Sequence, residues 1–373
     1  MSGIIQGHQQ AVTLFRQRLM SKRMPHAWLI TGPRGIGKAS LVKRVLAPLA
    51  LHVHQSSAET GLLGDGVLPD VPLPIGPLPD MPLSDGPHPD FTLVSSEDAV
   101  AAGKARAEIA VDSIRGTTQF LRKTSSLGGY RAAVIDSADE MNFNAQNALL
   151  KVLEEPPPDA LLFLICHAEN RILPTIRSRC VKLPLARLGQ TDVKNIVRDH
   201  LTDLSESQFD AVSAVSNGCP GLAISIAESG ALGLVETLSG AALKSGTAAQ
   251  HAKAMAALSN DPGARAGSAG GKRFETALGL FRDATASAAH AIIKANPTAA
   301  GSAEAQPPES PAFPGCSDAF WNEMVGAPID FLSAYYERIT YLHGLTTRAS
   351  LDRAAVLSDI ALMWRFQTIS DPA

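Results

Sequence analysis

Residues 131–182 read RAAVIDSADEMNFNAQNALLKVLEEPPPDALLFLICHAENRILPTIRSRCVK. Ala132, Ala133, Val134 and Ile135 form an apolar run that ends in Asp136, the pattern of a strand buried on both faces of a parallel sheet with a carboxylate at its C-terminal edge. That edge is where ligands sit in open parallel sheets. Ala145, Ala148, Leu149, Val152 and Leu153 then recur at helical spacing behind Asn142 or Asn144 as a cap. Pro156, Pro157 and Pro158 stop this helix after Glu154 and Glu155. Residues 161–166 predict a second buried strand. Residues 172–176 lead into Arg177, Ser178, Arg179 and Cys180, which puts two guanidinium groups on a segment expected to leave the sheet.

Upstream, residues 5–22 predict an amphipathic helix through Ala11, Val12, Phe15 and Leu19, and residues 27–30 a strand. Gly32, Pro33, Arg34, Gly35, Ile36, Gly37 and Lys38 then fit G-x-x-x-x-G-K, followed by a predicted helix over 39–51. Glycines let backbone N–H groups converge on phosphate oxygens, the helix N-terminus favours negative charge, and Lys38 would meet the outer phosphates. Ala39 stands where Ser or Thr should hold magnesium, and Ser40 points about 100° away around the helix. Two readings stay open, a loop that binds ATP or ADP and a glycine-rich turn that binds neither.

The string NALLKVLEEPPPDALLFLIC at 147–166, then ILPTIRSRC at 172–180, joined to the upstream phosphate loop, resembles the AAA+ subunits of bacterial clamp loaders. Among these it is most similar to the delta-prime subunits of DNA polymerase III, over residues 1–230. The resemblance implies an α/β AAA+ P-loop domain with a parallel sheet over 1–186, a small helical lid over 187–235 and an all-helical C-terminal collar domain over 236–373. The collar has expected flexible breaks near 259–272 and 296–318. It further implies Asp136 as the Walker B aspartate and an arginine finger at Arg179, within Ser178, Arg179 and Cys180, directed at ATP on a neighbouring subunit. The alternative for Arg179 is a surface arginine paired with a carboxylate.

Active members of the family carry a glutamate where this chain has Ser137, and motor subunits carry a sensor arginine in the lid where it has Gly221. Together with Ala39, these departures imply a subunit that does not hydrolyse ATP and requires no cofactor. Its implied partners are gamma/tau-type motor subunits and a delta-type subunit. Contact with the sliding clamp is indirect or weak, and contact with primed DNA runs through the assembly. A gamma/tau-like motor ATPase using Lys38 and Asp136, or an AAA+ scaffold outside replication, are the alternatives. Arg177 is expected to anchor its turn, Asp139 and Glu140 to be capping or surface carboxylates, and His8 and His26 to be packed or solvated. Cys166, His167 and Asn170 fall near the family's sensor 1 with no assigned role.

Residues 59–90 change texture abruptly. LPDVPLPIGP at 68–77 repeats as LPDMPLSDGP at 78–87 with seven of ten positions identical, which predicts an exposed polyproline-rich excursion; a PxxP ligand is the alternative reading. Related subunits often carry a four-cysteine zinc module there. This chain has no cysteine before Cys166, so no metal is expected. Residues 91–94 resume with a strand after His88, Pro89 and Asp90, and Ile109 to Arg115 open a helix towards Lys123. Helices follow over 192–201, 208–215 behind Ser205, and 221–229 after a break at Asn217 and Gly218. A loose region over 245–272 precedes helices over 274–295, 319–342 and 351–366.

The 373 residues are 45% hydrophobic and 18% charged with a net charge of −3. That suits two or three well-packed domains and supplies no basic footprint for autonomous DNA binding. Neither a signal peptide nor a bilayer-length apolar run is legible, so a cytoplasmic protein without membrane contact is expected. Cys166, Cys180, Cys219 and Cys316 lack CxxC spacing and read as reduced, buried thiols.

Overall fold

The computed structural model describes residues 7–21, 23–51, 88–95, 108–127, 129–262, 268–295, 313–346 and 351–367. The proline-rich repeat and most of the expected break at 296–318 lie outside them. The chain divides into two compact units, residues 1–199 with 218–221, and residues 200–217 with 222–373.

The first unit is built on five parallel strands, β1 (Ala27–Thr31), β2 (Phe91–Val94), β3 (Arg131–Ile135), β4 (Ala160–Cys166) and β5 (Val181–Pro184), in the order β2-β3-β4-β1-β5. This is the α/β arrangement with a parallel sheet that the resemblance implies. Every residue of β1, β3 and β4 is buried, as the unbroken apolar runs require of strands covered on both faces.

On one face, Leu29, Ile135, Leu162 and Leu164 pack with Ile114 and Leu121 of α3 (Val111–Leu121) and with Ala145, Leu149 and Val152 of α4 (Phe143–Glu154). On the other, Phe15 of α1 (Gln9–Met20) lies 5.0 Å from the Trp28 ring and 5.8 Å from the Phe163 ring, centroid to centroid. Trp28 and Phe163 are register partners across β1 and β4. Each period-2 strand thus hands alternate residues to the two helix layers, with Trp28 and Phe163 on the α1 side.

Asn142 caps α4 by accepting from the Ala145 N–H at 2.8 Å. The helix runs to Glu154 ahead of the three prolines. The helix after the glycine-rich loop begins as α2 (Lys38–Leu41) and passes into a π-helical turn over Val42–Leu46 before resuming over 47–51.

The segment carrying Arg177 and Arg179 lies outside the sheet as expected, on α5 (Pro174–Arg177) and the turn after it; the chain then re-enters the sheet as β5, a strand not expected from the sequence, paired with β1 from Trp28↔Val181 to Thr31↔Pro184. Only Leu183 of β5 is buried. An edge strand with one inward residue and a terminal proline has too little alternation to be recognised.

Beyond β5 the structure is helical, beginning with α6 (Gln190–His200). α7 (Glu206–Val215) opens on a capping box formed by Ser205 and Gln208. Next come α8 (Pro220–Ser229), α9 (Ala231–Ala242) and α10 (Ala248–Asn260), then α11 (Ser268–Ala295) and α12 (Asp318–Val325), and finally α13 (Ile329–Thr346) and α14 (Arg353–Phe366).

The region expected to be loose holds α10, started by a second capping box from Thr247 and Gln250, and the first turns of α11. Only Leu258 of α10 is buried, so no apolar stripe announces a helix that alanine propensity and the cap support. The helix expected over 319–342 is broken near Gly326 into α12 and α13.

In the second unit, Phe281, Phe320, Phe331, Tyr335 and Trp364 form one aromatic cluster with centroid separations of 5.2–6.3 Å. The fully buried Tyr335 hydroxyl donates to the Ile360 carbonyl at 2.8 Å. That bond satisfies the one polar atom this ring takes into the core.

Candidate functional site

In the strand order, β4 lies between β1 and β3. The loop after β1 and the carboxylates after β3 therefore meet over the C-terminal end of β4, the crevice position of open parallel sheets. The loop needs its glycines. Gly32 has φ +149°, and a Cβ there would fall 2.8 Å from the Leu185 carbonyl; Gly35 and Gly37 take φ of +79° and +98°.

Lys38 is 3% exposed. Its ammonium donates to the carbonyls of Gly32 at 2.6 Å and Pro33 at 2.7 Å, so it is turned onto its own loop. Burial lowers its pKa to about 8, opposed by the charges of Asp139 and Asp136. Asp136 is half-buried just past β3, and its N–H donates to the Val94 carbonyl at 2.8 Å. Ser137 follows in the left-handed region at φ +63°.

Asp139, expected as a capping or surface carboxylate, is neither a helix cap nor exposed: it is 8% exposed and braces the end of β4. It accepts from the His167 N–H at 2.9 Å and the Ala168 N–H at 3.2 Å, with the His167 ring Nδ1 at 3.4 Å. Burial alone would raise its pKa, but these hydrogen bonds prevail and hold the carboxyl well below the usual range. The spacing of Asp139 from Asp136 carries no signal of this, because the partners lie one strand away. Glu140 is the partner of Arg34, an exposed loop guanidinium 2.7 Å away.

Gly221, near the start of α8, also touches this loop. Its N–H donates to the Gly35 carbonyl at 2.8 Å, and a Cβ on it would stand 3.1 Å from both the Gly35 Cα and that oxygen. His8, expected as packed or solvated, makes a polar contact from Nε2 to the Ile36 carbonyl at 2.9 Å.

The structure thus brings Gly32, Gly35, Gly37, Lys38 and Asp136 into one cluster and adds Asp139. Arg179 does not join it. It stands on the turn between α5 and β5, 38% exposed, with Nη2 paired ionically with Glu154 at 3.0 Å and Nη1 donating to the Thr175 carbonyl at 3.0 Å. The sequence-level alternative of a carboxylate partner is therefore the arrangement within this chain.

α5 is held in place by a residue that drew no notice in the sequence. Gln146, buried on α4, donates to the carbonyls of Met141 at 3.2 Å and Arg171 at 3.1 Å and accepts from the Leu173 N–H at 2.9 Å. Glu169 pairs with Lys182, which lowers its pKa chiefly through that hydrogen bond.

Cys166 and Cys219 are buried and Cys180 and Cys316 half-buried, all as free thiols. Burial raises the pKa of Cys166, Cys180 and Cys316 to about 12. Among the described residues, no group of three or more His, Cys, Asp or Glu is arranged to hold a metal. No single helix among them is long and apolar enough to cross a membrane.

Residues 82–189 match the protein family described as DNA polymerase III, delta subunit. The chain is 34% identical over 201 residues to the DNA polymerase III subunit delta' of Pseudomonas aeruginosa, covering 52% of this chain and 53% of that protein. It is 32% identical over 127 residues to the Escherichia coli subunit of the same name, covering 34% and 38%. To the DNA polymerase III subunit tau of Bacillus subtilis it is 24% identical over 216 residues, covering 57% and 34%. The chain spans about half the length of the first of these relatives and less of the other two.

Proposed function

We infer that this chain, a relative of the delta-prime subunits of DNA polymerase III, is a clamp-loader subunit that hydrolyses no ATP itself and lends Arg179 to ATP held by a neighbouring gamma/tau-type motor subunit. The observation that carries the reading is the contrast between its two charged centres. The loop lysine is buried and satisfied by loop carbonyls, whereas the guanidinium of the Ser178-Arg179-Cys180 turn is partly exposed.

The residues around the glycine-rich loop support a site that does not hydrolyse ATP. Lys38 is committed to Gly32 and Pro33. Ala39 offers no hydroxyl and Ser137 no carboxylate, and the Gly221 backbone packs against Gly35. Any one of these would impair positioning, and a phosphoryl-transfer site is almost wholly positioning and electrostatics. Arg179 suits work in trans because a guanidinium stays charged and presents forked donors to phosphate oxygens as charge develops.

In this reading the chain is a rigid, cytoplasmic member of an assembly that also contains a delta-type subunit and loads the sliding clamp on primed DNA. It touches clamp and DNA mainly through its partners, and its near-neutral charge is in keeping with that.

The test compares the isolated chain with a reconstituted loader. The isolated chain should show no magnesium-dependent ATP turnover, and the chain should co-elute with motor and delta-type subunits in a loader whose hydrolysis clamp and DNA stimulate. Turnover by the chain alone, abolished by Lys38→Ala, would make it a motor subunit instead. Failure to co-elute would remove it from the loader.

A further inference from the structure

The guanidinium of Arg179 is tied at two points. Nη1 donates to the Thr175 carbonyl at 3.0 Å, and Nη2 forms an ion pair with Glu154 Oε1 at 3.0 Å. Glu154 is the last residue of α4. The same helix grips the segment leading into α5 through Gln146, which bonds to Arg171 and Leu173. Glu154 therefore reaches Arg179 from an element already fixed against the turn that carries it.

A guanidinium has five N–H donors in a rigid plane. The Thr175 carbonyl takes one, and the ion pair to Glu154 leaves others for an incoming anion. The pair is also half-solvated, at 38% and 51% side-chain exposure, so it adds little to folding stability and its role must be sought in geometry.

We propose that Glu154 is a positioning residue, holding the plane of Arg179 in one orientation so that its remaining donors meet phosphate oxygens on a neighbouring subunit's nucleotide. The proposal rests on the finger reading of Arg179. It is the opposite of a parking role, in which the carboxylate would have to be displaced before the arginine could act. An untethered arginine carries a large rotamer entropy into each encounter, and small losses of orientation at a reacting centre cost rate.

The experiment uses the reconstituted loader with clamp and primed DNA, carrying the unchanged chain, Glu154→Ala, Glu154→Gln, Arg179→Ala or the Glu154→Ala/Arg179→Ala pair, each at equal assembly by gel filtration. Glu154→Ala should lower kcat for stimulated ATP hydrolysis by about three- to tenfold. Glu154→Gln, which keeps an oxygen acceptor in place, should retain most of the rate. In the Arg179→Ala background, Glu154→Ala should change nothing further.

A rate that stays or rises in Glu154→Ala while Arg179→Ala loses activity overturns the positioning role and leaves the finger standing. An equal loss from Glu154→Ala with and without Arg179 overturns it in favour of a structural effect. No loss in Arg179→Ala would overturn the finger reading, and this proposal with it.

Discussion

Asp90 and Arg131 are 1% and 6% exposed, yet both are fully engaged. Asp90 accepts from the Ser125 hydroxyl, the Ser126 and Leu127 N–H groups and Arg131 Nε. Arg131 also donates to the carbonyls of Phe120 at 2.8 Å and Pro89 at 2.9 Å and lies over the Phe120 ring. Removing one partner strands the other, so Asp90→Ala should cost about 3–5 kcal/mol, read as a lower urea midpoint at unchanged m-value. Burial tends to raise the Asp90 pKa, but the hydrogen bonds prevail and lower it. The stabilisation is therefore present above the ordinary carboxylate pKa and lost as pH falls through the lowered folded value. The variant should lose most of the stability difference from the parent in strong acid. Asp90 and Arg131 sit 41 positions apart and mark only a turn and a strand start in the sequence. Asp136, Lys38 and Arg179 were legible because their neighbours spell motifs; Asp139 and Gln146 were not, since their partners come from other elements.

The central helix α4 shows what local pattern can specify. Its cap at Asn142, its apolar face and its proline stop are all written within the segment, and all appear in the structure. Asn142→Ala should cost about 1 kcal/mol of stability. Gln146→Leu removes three hydrogen bonds and leaves the Leu173 N–H without its acceptor, so a larger loss of about 1–3 kcal/mol is expected. Both are measurable by denaturant titration. β1, β3 and β4 were readable as continuous apolar runs, but β5 was not, because pairing with β1 and not its own pattern makes it a strand. α10 escaped for the converse reason, with good propensity and a sound cap but almost no buried face. Thr247→Ala should therefore lower amide-exchange protection in the first turn of α10 by about fivefold, with little change at the aromatic cluster around Tyr335.

Taken as a molecule, the chain places its buried Asp90–Arg131 pair at the start of β3 and its glycine loop and carboxylates at the opposite, C-terminal edge. One edge secures the sheet, and the other gathers the glycine loop and Asp136 around Lys38, which is turned onto the loop carbonyls. Arg179 is tethered but partly exposed, and on the proposed reading it is the group that acts on a neighbouring subunit's nucleotide. The measurement that bears most directly on this division is clamp- and DNA-stimulated ATP hydrolysis by a reconstituted loader carrying the chain or its Arg179→Ala variant, at equal assembly. A finger in trans predicts a loss of about a thousandfold at the site it serves, seen as a clear fall in total rate even where other sites continue to turn over. An unchanged rate, with unchanged clamp loading, would contradict catalysis in trans and leave Arg179 as the surface partner of Glu154.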